Sequence, residues 1–161
     1  MRHLLEIEVE DVFAPEEYIN HEIREKEEND RANHDYAILI LKKSTGTESG
    51  YFGLHAVAAN HALILEEKEI YARGYPEVKM KEENSVRFEQ REEMGRIIEF
   101  GGKKGLFYHT CSSSPGLDGS AVYYKQKDSN KSYVIGVQVG EYKDYIKACW
   151  ITNEKWQKIY D

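Results

Sequence analysis

Apolar residues along this chain recur mostly at every second position or in short unbroken runs, the spacing of strands rather than of helices. Leu4-Leu5-Glu6-Ile7-Glu8-Val9 alternates apolar and charged residues and predicts a half-buried strand. Tyr36 to Leu41 is apolar throughout and predicts a buried one. Further strands are predicted just before Gly74-Tyr75-Pro76 and over Met94 to Phe100, Leu106 to Cys111, Ala121 to Tyr124, Tyr133 to Gly140 and Ile146 to Ile151. Gly101 to Gly105 separates two apolar strands and fits a hairpin turn better than a phosphate loop. Glu77 to Glu93 contains Met80, Val86 and Phe88 without a sustained period and reads as a long surface loop. Asn153 to Tyr160 reads as a capped C-terminal helix. The pattern as a whole predicts an all-β fold.

Two segments place chemistry beside these strands. Asn33-His34-Asp35 sets a carboxylate immediately before the run Tyr36 to Leu41. Ser114-Pro-Gly-Leu-Asp-Gly-Ser-Ala-Val122 sets Asp118 between two glycines just ahead of another strand. Taken alone, Pro115-Gly116 and Asp118-Gly119 are ordinary turn dipeptides. Taken in order with the flanking strands, the landmarks resemble the glutamyl endopeptidase branch of the chymotrypsin-like serine peptidases, from about Val12 to the C-terminus.

The resemblance implies a chymotrypsin-like double β-barrel. Its C-terminal barrel, with the terminal helix, would occupy residues 69–161 and be complete. Residues 1–45 would be the remnant of an N-terminal barrel, and 46–68, between Leu41 and Glu69, the link. Two-barrel enzymes run to roughly 200–250 residues, so the 161 residues here imply a longer natural protein or a truncated relative.

Carried over residue by residue, Asp35 falls on the triad aspartate and Asp118 on the nucleophile, replacing the hydroxyl that the chemistry needs. Gly116 and the N–H of Asp118 fall on the oxyanion-hole donors. Ser112, Ser113 and Ser114 would line the primary specificity pocket with Gln138 and Gly140. Gln138 stands where glutamate-specific members carry a histidine that helps bind the substrate carboxylate. An alternative register makes Ser120 the nucleophile, but it sacrifices two backbone positions that tolerate only small residues.

A catalytic histidine has no counterpart, because in this fold it precedes the aspartate by several tens of residues. His3 lies in the alternating N-terminal segment, and His34, adjacent to Asp35, points to the opposite face of extended backbone. His21, His55, His61 and His109 have no companion to make them general bases and read as loop or partly buried, hydrogen-bonded residues.

A carboxylate is a poor nucleophile towards amides, and its charge opposes the one that develops in an oxyanion hole. The expectation is therefore a trypsin-like serine peptidase homologue, inactive as this chain, that binds peptides or proteins as a pseudoenzyme or fragment. The alternative is an active serine-type endopeptidase with Ser120 as nucleophile and a histidine from upstream sequence.

Charge narrows the partners. The net charge of −7 is concentrated in residues 1–31, which hold 11 acidic and 4 basic residues, while the remainder holds 18 of each. That distribution argues against nucleic acid, whose backbone calls for clustered Lys and Arg. No run is long enough to span a bilayer, and the N-terminal apolar residues alternate with Glu6, Glu8 and Glu10, unlike a signal peptide. Metal and nucleotide motifs such as Cys-x-x-Cys, His-Glu-x-x-His and Gly-x-x-x-x-Gly-Lys do not occur, so neither metal nor cofactor is expected. Self-association through an incomplete barrel edge is a further expectation. Cys111 and Cys149 fall on strands that would flank the specificity pocket, which leaves a pair or two buried free thiols open, the latter being the default.

Overall fold

Strand β1 (Val9–Phe13), helices α1 (Glu16–Ile19) and α2 (Glu28–Asn33), β2 (Ile38–Leu41), α3 (Gly46–Ser49) and the short β3 (Gly53–Leu54) precede the main sheet. β4 (Glu69–Gly74) is followed by a small hairpin, β5 (Glu77–Lys79) and β6 (Val86–Phe88). β7 (Arg91–Phe100), β8 (Leu106–His109), β9 (Ala121–Lys125), β10 (Ser132–Tyr142) and β11 (Tyr145–Trp150) follow, and α4 (Asn153–Tyr160) ends the chain. The computed structural model describes residues 6–19, 28–58, 65, 68–79, 86–101, 105–112 and 114–160.

Six of the strands form a closed ring in which β4, β7, β8, β11, β10 and β9 pair in that order and β9 returns to β4, every pairing antiparallel. Closure removes the raw edges of the sheet. It follows from the period-2 pattern: Ile70, Ala72, Ile97, Phe107, Val122, Ile135 and Ala148 come from alternate positions of the six strands and meet inside the ring. Phe107 sits at the centre, packed on Phe100, and a Cβ at Gly136 would stand 2.6 Å from its ring and 2.7 Å from the Cys149 carbonyl oxygen. The absence of a side chain at Gly136 is thus what lets β10 and β11 close over the phenylalanine.

Helix α4 lies against the outside of the ring, its Trp156 packed with Tyr123, Val134 and Ile151. Its capping residue is Thr152, whose hydroxyl accepts the Lys155 N–H at 3.2 Å. Described residues between 46 and 68 also contact the ring. β3 pairs in parallel with β10, the Val57 N–H bonds the Ile151 carbonyl at 3.0 Å, and Val57 and Leu65 are buried in the main core.

The all-β expectation holds at the level of a mostly β chain with a ring of six strands and four helices among the described residues. Three elements depart from it. Among the described residues the first strand is Val9–Phe13, exposed along its length, and residues 6–8 of the expected Leu4 to Val9 strand are not in a strand; residues 1–5 lie outside the described set. The run Tyr36 to Leu41 yields only β2, with Leu39, Ile40 and Leu41 exposed. β2 pairs with β1 alone in a two-stranded ribbon, which leaves these three side chains largely exposed. Finally, residues 77–93, expected as a loop, contain the β5–β6 hairpin and the start of β7. The described side chains at the start of β7 are exposed or half-exposed, so no alternation of buried apolar residues announces the strand. No helix among the described residues is long and apolar enough to cross a membrane.

Candidate functional site

Two consecutive turns build the loop 114–120. The Leu117 N–H donates to the Ser114 carbonyl at 3.1 Å, and the Ser120 N–H to the Leu117 carbonyl at 2.9 Å. Leu117, 3% exposed, anchors the loop in the protein, and Gly116 and Gly119 sit at φ +90° and +86°, where a side chain is strained. Three further bonds fix the loop to its surroundings. Glu77 N–H donates to the Pro115 carbonyl at 2.9 Å, Gly119 N–H to Gln138 at 2.8 Å, and Gln138 N–H to Ser120 at 2.9 Å.

Asp118 is thereby held at an exposed tip. Ser120 is 5% exposed, and its hydroxyl is turned towards Gly74, where a Cβ would collide with it. Among the described residues, the N–H groups of Gly116 and Asp118 donate to no backbone carbonyl. The tip therefore combines a carboxylate with two backbone N–H groups that no described carbonyl occupies.

Asp35 reaches this region from α2. That helix packs Ala32 against Leu106 and Cys149, and its end is closed by His34 N–H to Arg31 at 2.9 Å and Asp35 N–H to Ala32 at 3.4 Å. The Asp35 carboxyl is half-buried, and burial is the main reason that it is held above the ordinary aspartate range. A hydrogen bond from Tyr18 and the charge of Arg31 pull it down, and the charge of Asp118 pushes it up. Of these effects on Asp35, the charge of Asp118 is the smallest. Tyr18 and Arg31 carry no signal in the sequence, because their role arises only when α1 and α2 fold beside Asp35.

The described histidines are engaged elsewhere. His34 stands 4.0 Å from Glu17, the His55 ring bonds the Tyr124 hydroxyl at 2.9 Å, and His109 is buried within the ring. His3, His21 and His61 lie outside the described residues, as does Ser113. Ser112 is exposed, Ser114 half-buried, and Gly140, at φ +135°, marks the bulge in β10 that follows Gln138.

Gln138 and His109 share an unusual condition. Gln138 is 1% exposed, and among the described residues neither its amide nitrogen nor its amide oxygen has a hydrogen-bond partner. His109 is fully buried, its Nδ1 accepts the Cys111 N–H at 3.3 Å, and its Nε2 has no partner among the described residues. Burial pushes the imidazole down to about 4, so it is neutral at physiological pH. Of the expected loop or partly buried, hydrogen-bonded histidine, the hydrogen bond is present but the burial is complete, because the strand Leu106–His109 continues the inward alternation of Phe107 through His109. An orphaned buried amide costs its desolvation free energy. Replacing Gln138→Met is accordingly expected to raise stability by about 2 kcal/mol, seen as a higher urea midpoint at unchanged slope.

Cys111 and Cys149 are both buried and free, so a disulfide between them is not part of the structure. Burial pushes the Cys111 thiol up to about 11 and also raises Cys149, which makes both poor nucleophiles. Among the described residues, no group of three or more His, Cys, Asp and Glu side chains is arranged to hold a metal ion. Comparison with protein-family models and with curated proteins gave no match.

Proposed function

We propose that this chain is a chymotrypsin-like serine peptidase homologue, a complete C-terminal barrel joined to part of an N-terminal one, that binds a peptide or protein segment without hydrolysing it. The observation that carries the reading is the exposed Asp118 between two positive-φ glycines. The six-stranded antiparallel ring, the loop's bonds to β10 and the terminal helix are consistent with it.

The chemistry separates binding from turnover. A peptide carbonyl carries only a partial negative charge and can accept from the Gly116 and Asp118 N–H groups. The tetrahedral intermediate of hydrolysis carries a full charge, which the fixed Asp118 carboxylate repels. Ground-state binding is kept, and the stabilisation specific to the transition state is lost. The burial of Ser120 against Gly74 weighs against the register in which that serine attacks.

Two measurements test the proposal. Incubation with a fluorophosphonate is expected to leave the intact mass unchanged, and an adduct on Ser120 would overturn the inactive reading. In a titration of the labelled protein with a tryptic digest of casein, the amide resonances of Gly116, Asp118 and Gly119 are expected to shift. If none of the three moves at millimolar peptide, this loop is not a peptide site.

A further inference from the structure

Helix α4 carries an inward-facing lysine where its amphipathic pattern calls for an apolar residue. Lys155 is 8% exposed, and its Nζ donates to the Asn33 side-chain oxygen at 2.7 Å, the Trp150 carbonyl at 3.1 Å and the Cys149 sulfur at 3.0 Å. The Tyr36 ring centroid lies 5.5 Å away. Every one of these partners is neutral. Among the described residues no carboxylate forms an ion pair with Lys155, and Glu154 acts on it only through its more distant charge. A buried ammonium without an anion is costly, and burial accordingly lowers its pKa.

The same lysine borders a cavity of about 300 Å³ between β2, β10, β11 and α4. Ile38, Leu54, Val137, Trp150 and Ile159 are among its apolar lining residues, and Lys155 is its one charged lining residue among those described. The volume falls at the lower end of the roughly 300–1,000 Å³ range of small-molecule sites. We propose that this cavity binds a small amphiphile, its carboxylate on Lys155 Nζ and its hydrocarbon tail against Ile38, Leu54 and Val137.

Charge complementarity selects this ligand class. An apolar chain alone would leave the ammonium without a counter-ion, and a cationic head group would add repulsion. A carboxylate oxygen can take the place of the Cys149 sulfur, the weakest of the three acceptors, and turn a bond from the ammonium to a neutral thiol into an ion pair. The thiol keeps its own bond to the Asn33 carbonyl at 3.0 Å. This site is distinct from the 114–120 loop and stands whether or not that loop binds peptide.

Calorimetric titration of the full chain at neutral pH with decanoate, decan-1-ol and decyltrimethylammonium, each below its micellar concentration, tests the proposal. Decanoate is expected to bind at least tenfold more tightly than decanol, and the cation not to bind. Lys155→Met should bring decanoate down to the level of decanol, and Val137→Phe should weaken decanoate at least tenfold with the melting temperature retained. Equal affinity for decanoate and decanol would overturn the role of Lys155. Absence of decanoate binding, or binding indifferent to Val137→Phe, would overturn the site. The comparison of head groups on the unaltered protein decides the matter even where Lys155→Met fails to fold.

Discussion

Acidification from about pH 6.5 to about pH 4 is expected to remove about 3 kcal/mol of stability through His109 alone. In the unfolded chain this imidazole takes a proton near its ordinary value of 6.5, whereas burial delays the same step to about 4 in the folded protein. Between these limits the unfolded state binds more protons, so stability rises with pH; it is fully present above the unfolded value and drains away below it. The neighbouring Phe107 ring, 5.7 Å between centroids, offers no anion to offset the charge. Urea unfolding at a series of pH values would show the slope, and a His109→Leu variant should flatten it in that window. An NMR titration in which the His109 ring protonates near 6.5 in the native state would exclude this source of acid sensitivity.

Gly95→Ala is expected to destabilise the protein by about 3 kcal/mol. A Cβ built there stands 2.5 Å from the Cys111 nitrogen, 2.9 Å from its sulfur and 2.9 Å from the Thr110 carbonyl carbon. Two of the three are backbone atoms, which cannot rotate aside. The strand is held in place by the Arg96 N–H, which donates to the Thr110 hydroxyl at 3.0 Å, and by the Thr110 N–H, which donates to the Arg96 carbonyl at 3.1 Å. Relieving the clash means prising β7 from the segment after β8 and breaking these bonds. A chemical denaturation midpoint within experimental error of the parent would show that the strands can part at no cost.

The elements legible in the sequence are those whose apolar residues alternate against a closed core. β9, β10, β11 and α4 all fall within a few residues of where Ala121 to Tyr124, Tyr133 to Gly140, Ile146 to Ile151 and Asn153 to Tyr160 place them. Burial on one face enforces the alternation there, and the pattern reports it. β5, β6 and the start of β7 are hidden because backbone pairing, rather than a buried face, defines them. β2 shows the converse: an apolar run predicts a demand for cover that pairing with β1 alone does not meet.

The candidate site is legible to a similar degree. Gly116, Asp118 and Gly119 can be read from the turn chemistry of their loop, and Asp35 from its place before an apolar run. Lys155 cannot, because Asn153-Glu-Lys-Trp-Gln-Lys-Ile-Tyr160 offers two lysines to solvent on equal terms. Only the approach of Asn33 from α2 distinguishes the buried one. Gln138 is named by the resemblance, but its full burial is not legible, since an amide within a strand reads as outward-facing until the bulge before Gly140 is known.

Ring closure also sets an order of assembly. β10 and β11 meet across a tight turn, with Tyr142 opposite Tyr145, whereas β4 must wait for β9, with Tyr71 opposite Tyr123. The first is a local contact of small loop entropy, and the second is the long-range step that raises the contact order and slows folding. During synthesis β4 emerges well before its partner. Its free edge stays a template for stray strands until β9 has left the ribosome, so the nascent chain is vulnerable to aggregation throughout the synthesis of β5 to β8.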